Sequence, residues 1–131
     1  MRYPQLLLIA GVLFSACGCS EGTHDLDVSL SKSDQIRCQA GPDCESKWER
    51  AYKWVLESSG LKLRTKTDGL IKTEEPPGAS RTLVIIVSKN PTSHPSIYEI
   101  NFIGKCSSIL SCIPSVAESR TRFANFVLGA D

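Results

Sequence analysis

Apolar and polar residues recur along this chain with two different periods, and each change of period separates strand from helix. Leu26, Val28 and Leu30 alternate with Asp27, Ser29 and Ser31, a period of two that predicts a short, half-buried edge strand. From Glu45 the period lengthens. Trp48, Ala51, Tyr52, Val55, Leu56 and Ser59 follow helical spacing, with Lys47, Glu49, Arg50, Lys53 and Glu57 off the stripe. This predicts an amphipathic helix. Asp43 is placed to N-cap it with Pro42 just outside, and Gly60 to end it in the left-handed conformation. Trp48 lies on the stripe; Trp54 lies at its margin and is a candidate exposed contact residue.

Leu61, Leu63 and Thr65 then alternate with Lys62, Arg64 and Lys66 ahead of Asp68-Gly69, which predicts a hairpin. A two-residue Asp-Gly loop pairs Lys66 with Ile71 and sends Ile71 outward. A three-residue loop, Thr67 to Gly69, pairs Thr65 with Ile71 and Leu63 with Thr73, so burial favours the longer loop. Glu74 to Ser80 contains Pro76-Pro77-Gly78 and reads as a loop. Leu83 to Val87 is apolar at every position, which places it at the centre of a sheet. After the turn Asn90 to Pro95, Tyr98, Ile100 and Phe102 form the returning strand. Ser115 with Glu118 fits a capping box, and Val116, Arg120, Phe123, Ala124 and Val127 mark a final helix ending at Gly129. The expected fold class is α+β: an antiparallel sheet of four to five strands with two helices packed on one face.

The first residues carry an address. Arg2 precedes the apolar run Leu6 to Phe14, and Ser15, Ala16, Cys17 and Gly18 are small. The run is too short to cross a bilayer, which takes roughly 20 apolar residues, so it reads as an export signal. The order Leu13-Phe14-Ser15-Ala16-Cys17 resembles the lipobox of bacterial prolipoproteins, with Phe14 where Leu is usual. That resemblance implies cleavage before Cys17 and lipidation of its thiol and new amine. Cys19 is a competing acceptor with a poorer match before it, Ala16-Cys17-Gly18. Two or more acyl chains anchor stably. In such lipoproteins an Asp after the lipidated Cys retains the protein in the inner membrane; Gly18 stands there instead, which implies the periplasmic face of the outer membrane. The expected organisation is a signal peptide over 1–16, a lipidated N-terminus and tether over 17–25, and one domain over 26–131. The order helix, Thr-rich hairpin, two strands and helix also looks like the small helix-on-sheet modules of outer-membrane assembly lipoproteins, a likeness over about half the chain that transfers no functional residue.

Cysteine usage fits an oxidising compartment. Setting Cys17 aside, Cys38 and Cys44 bracket a five-residue segment before the first helix, and Cys106 and Cys112 bracket another before the last. If the first helix starts at one end of the sheet, four alternating strands deliver Cys106 to the other. A disulfide needs Cα atoms within about 7 Å, so the topology favours Cys38 with Cys44 and Cys106 with Cys112 over crossed pairs. Zinc is the alternative use of four thiolates, but these spacings are wider than usual, no His is near, and no metal or other cofactor is expected. No Cys-x-x-Cys redox motif occurs. Cys19 has no assigned partner.

Composition does not single out a chemistry. With 131 residues, 41% hydrophobic and 22% charged, the chain has room for one globular domain. Arg2 is one of 15 Lys and Arg, so the chain beyond it carries 14 against 14 Asp and Glu. This neutral balance gives no field for nucleic acid. His24 falls in the tether and His94 in a turn, neither placed as an oriented base. Glu74-Glu75 borders the Pro-rich loop without an apolar pocket. The sequence therefore reads as a non-enzymatic lipoprotein, bound to membrane through its anchor and to an envelope protein partner as an interaction or assembly module. The alternative is an inhibitor of a hydrolase such as lysozyme, for which the Cys38 to Cys44 loop is a preorganised key and Asp43 the residue that addresses a cleft.

Overall fold

The computed structural model describes residues 35–130; the expected strand at 26–30, Cys17, Cys19 and His24 lie outside them. The fold is α+β. A five-stranded antiparallel sheet is built from β1 (Ile36–Gln39), β2 (Leu63–Lys66), β3 (Leu70–Thr73), β4 (Val84–Pro91) and β5 (Ile97–Lys105), in the order β1-β5-β4-β3-β2. Helices α1 (Pro42–Ser58) and α2 (Val116–Leu128) complete it. The apolar run enters β4, the middle strand. Because β1 and β2 are opposite edges, α1 carries the chain from one side of the sheet to the other.

Register explains which residues enter the core. Ile36 faces Ile100, and Ile71 and Phe102 flank Val87 from the two neighbouring strands. With Ile85 these residues point to the same face, where they are buried with Trp48, Ala51, Trp54 and Val55 of α1 and Phe123, Ala124 and Val127 of α2. Both helices thus cover one face. At its centre the rings of Trp54, Phe102 and Phe123 lie 5.1–5.8 Å apart, with Trp54 edge-on to both phenylalanines, an arrangement favoured by the ring quadrupoles. Thr73 is fully buried, and its Oγ1 accepts the Ile85 backbone N–H at 3.0 Å just beyond the regular pairing of β3 with β4.

Four expectations need correction. The buried stripe of α1 runs through Cys44, Trp48, Ala51 and Val55 and turns toward Trp54, which is only 7% exposed, while Leu56 is 49% exposed. The reason is tertiary: α2 and Phe102 fill the Trp54 flank, and Arg50 Nε donates to the Val127 carbonyl of α2 at 2.7 Å. Second, Gly41 is the N-cap of α1, at φ 99°, and Asp43 lies inside the first turn. Third, Lys66 pairs with Ile71, as for a two-residue loop, yet Ile71 is buried. A bulge between Leu63 and Thr65 restores Leu63 opposite Thr73. Lys66 is accommodated on the helix side because its ammonium sits 3.5 Å over the Tyr52 ring and 3.9 Å from Glu49, the stem covering apolar surface on the way. Fourth, β1 was not expected, although Ile36 and Cys38 are buried and Arg37 and Gln39 exposed in strict alternation.

The ends of the last helix follow the sequence reading, with the serine half of the expected capping box formed and Ser119 joining the buried stripe. Ser115 caps α2 by accepting the Glu118 N–H at 3.1 Å, and Gly129 ends it in the left-handed conformation. Glu118 then pairs with Arg122 one turn along.

Candidate interaction surfaces

The two disulfides sit at opposite ends of the sheet. Cys38 and Cys44 are bonded with Cα atoms 4.9 Å apart, at the end where β5 begins and the Asp68-Gly69 turn lies. Cys106 and Cys112 are bonded with Cα atoms 5.7 Å apart, at the end where β5 finishes and β4 starts. We call these the upper and lower ends.

At the upper end the short loop is closed upon itself. Both cysteines are buried. Asp43 does not point outward unattached: its carboxylate accepts the Gln39 backbone N–H at 2.8 Å and the Lys47 ammonium at 3.0 Å, and Lys47 also donates to the Arg37 carbonyl at 2.9 Å. The Gln39 N–H, and after it Lys47, hold the Asp43 pKa below its ordinary value. The residue ties the end of β1 to the first turn of α1, where an acidic side chain also suits the helix dipole.

The lower end differs. Between Cys106 and Cys112 the chain is Ser107-Ser108-Ile109-Leu110-Ser111. Ile109 is fully exposed, and Leu110 and Ile113 are exposed as well. Their display is not slack. Arg81 donates from Nε to the Ser111 carbonyl at 3.0 Å and from Nη2 to the Leu110 carbonyl at 3.4 Å, and its own carbonyl accepts the Ile113 N–H at 3.0 Å. Ser108 Oγ accepts the Leu110 N–H at 3.1 Å. These backbone groups are occupied, and the aliphatic side chains are left outside. The sequence signal for this was an Ile-Leu pair inside a Cys-bounded loop, where no strand or helix period can bury it.

Near this end a cleft of about 240 Å³ opens between the last turn of α1 and the start of α2. Trp54, Ile85, Ser119 and Arg122 are among its walls. Trp54 is therefore a packed wall of the core and cleft, not the exposed contact residue its place on the helix suggested. Ser119 is 2% exposed.

The face of the sheet away from the helices is the third surface. In its upper part it is polar, with Arg37 paired to Glu99 at 3.0 Å and Asn101 opposite Ser88. Its lower part carries Ile86 directly opposite Ile103, with Val84 beyond. Val84 is covered, and Glu75, Pro76 and Gly78 of the loop after β3 line the same recess. Ile103, by contrast, is 46% exposed.

The other candidates for chemistry are scattered. His94 is exposed in the turn before β5, where its N–H donates to Thr92 Oγ1 at 3.1 Å. Glu74 and Glu75 are both exposed. Among the described residues no three His, Cys, Asp or Glu side chains are grouped to hold a metal ion, and no helix is long and apolar enough to cross a membrane. No protein-family model and no curated protein matches the chain.

Proposed function

We propose that this chain is a lipoprotein anchored through Cys17 at the periplasmic face of the outer membrane, and that its domain works there by contact, as an interaction or assembly module. The observation that carries the reading of contact is the face of the sheet that no helix covers among the described residues. An antiparallel sheet with helices on one side normally meets water with polar residues on the other. Here the centre of the lower half is an Ile86–Ile103 pair, with Ile103 half in solvent, set beside a polar, charge-paired upper half. A rigid surface with an aliphatic centre and a polar surround has the composition of a protein-binding patch. The inhibitor alternative is less favoured, because the carboxylate that would address a cleft, Asp43, is already engaged by Gln39 and Lys47.

The anchor is tested by metabolic labelling with palmitate: Cys17→Ser abolishes incorporation and Cys19→Ser leaves it intact. Incorporation that persists in Cys17→Ser overturns the anchor. The contact surface is tested with a photo-cross-linking residue at Ile103 in intact cells, with Glu57 as control. Cross-linking to a defined envelope protein from position 103 and not from 57 is expected, and equal cross-linking from both refutes the face assignment.

A further inference from the structure

We propose that the Cys106–Cys112 loop is a bilayer-docking element: Ile109, Leu110 and Ile113 sink into the outer edge of the lipid layer and hold the lower end of the domain against the membrane. The proposal rests on the anchored reading for its setting, and on the loop itself for its chemistry. Three large aliphatic side chains stand in solvent within five positions, a concentration that soluble surfaces avoid and that marks a contact site. From Cys106 through Ala117 there is no charged residue, and the charge bonded to its tip is the Arg81 guanidinium, which keeps the insertion at the outer edge of the lipid. Part of the backbone at the tip is prepared for this. The Leu110 and Ser111 carbonyls already accept from Arg81, and the Leu110 N–H already donates to Ser108, whereas an unsatisfied peptide group in hydrocarbon costs several kcal/mol. The disulfide and Arg81 fix the loop before contact, so little ordering accompanies insertion.

Position selects lipid over another apolar partner. β1 runs antiparallel to β5 with Ile36 opposite Ile100, so the chain preceding Ile36 approaches from the direction of Lys105, the lower end. The described chain thus enters β1 from the side that carries the exposed aliphatics, and under the anchored reading that is the side turned to the membrane. The charges around the lower end are mixed, with Arg81, Lys105 and Arg122 beside Glu74, Glu75 and Glu118. Insertion is therefore apolar in origin, and its dependence on anionic headgroups is weak.

The test uses the full chain in vesicles of phosphatidylethanolamine and phosphatidylglycerol with brominated acyl chains. A tryptophan reporter is placed at the loop tip, Leu110→Trp, or at the upper end in the exposed hairpin turn, Asp68→Trp; the native Trp48 and Trp54 are buried and provide the common background. Leu110→Trp should show blue-shifted emission that is lost to bromine, while Asp68→Trp keeps the emission of a solvated indole. An unquenched Leu110→Trp, or equal quenching at both positions, overturns the proposal, as does a blue shift without bromine quenching, which signifies contact with protein. Palmitate on Cys17 is scored in the same preparations. Lipidated protein with an unquenched loop removes the docking element alone. Unlipidated protein with a quenched loop removes the anchor alone.

Discussion

Thr73 offers a substitution for which burial and hydrogen bonding predict opposite signs. Its side chain is fully buried among the apolar residues beneath the helices, so on hydrophobicity alone Thr73→Val should stabilise the protein. Replacing the hydroxyl by a methyl gains up to about 1 kcal/mol of apolar burial. The hydroxyl, however, is the acceptor for the Ile85 N–H at 3.0 Å, in the middle strand where water does not reach. A buried N–H left without a partner costs about 2 kcal/mol. The net effect is a loss of about 1 kcal/mol, which for a domain of this size lowers the melting temperature by about 4–8 °C. Thr73→Ser keeps the acceptor and loses a methyl group, so it falls by a similar amount for a different reason. Amide hydrogen exchange separates the two: the Ile85 amide should exchange faster in Thr73→Val and keep its relative protection in Thr73→Ser. A Thr73→Val protein that melts above the parent, with Ile85 as protected as before, would refute the assignment.

Three further substitutions test the helix faces and the upper loop. Val55→Asp places an unpaired carboxylate at a fully buried position and should prevent folding. Lys53→Asp only exchanges a 3.9 Å pair with Glu57 for like charges one turn apart, a change of a few tenths of a kcal/mol, roughly; circular dichroism melts of equal quality for both would overturn the helix orientation. Asp43 has a lowered pKa in the folded state, from the Gln39 N–H and then Lys47. Its contribution is therefore present above the unfolded carboxylate value, about 3.9, and is lost as pH falls through the folded one. Asp43→Asn should melt below the parent at neutral pH, with the gap closing in strong acid; a gap independent of pH refutes the role of the charge.

What the sequence reveals here is the local part of the fold. The period of α1, the cap and end of α2 and the apolar run of β4 follow from neighbours close along the chain, whereas the pairing of the cysteines follows from the strand order, which sends the two pairs to opposite ends of the sheet. The departures are tertiary. Nothing in residues 42–58 states on which flank of α1 the second helix lies, so the stripe includes Leu56 and leaves Trp54 at its margin, whereas Phe102 and Phe123 bury Trp54 and Leu56 is exposed. Lys66 was expected to force a longer turn because a lysine does not share a face with the core. It does share one, since Tyr52 and Glu49, distant in sequence, receive its ammonium. Strand β1 escaped because four residues make a weak alternation and its partner, β5, lies some sixty positions along the chain. The surface formed by Ile109, Leu110 and Ile113 was legible as composition but not as exposure, because only the fold shows that no element among the described residues returns to cover it.

The two disulfides are alike in spacing and unlike in setting, and the contrast bears on what each end does. Each closes a loop from a strand into the start of a helix, and each spans six positions. So short a loop restricts the unfolded chain less than a long crosslink does, which leaves local geometry as the main effect of both. At the upper end that geometry serves the fold: the cysteines are buried and Asp43 and Lys47 are turned back onto the backbone. At the lower end Cys112 is buried, yet the staple and Arg81 hold aliphatic side chains away from the core. Internal stability gains nothing from that arrangement, because exposed Ile and Leu side chains keep their full hydration cost. A fold that occupies backbone polar atoms and displays aliphatic side chains at one end only is suited to an environment that is itself apolar on that side, and the described chain enters β1 from the same side.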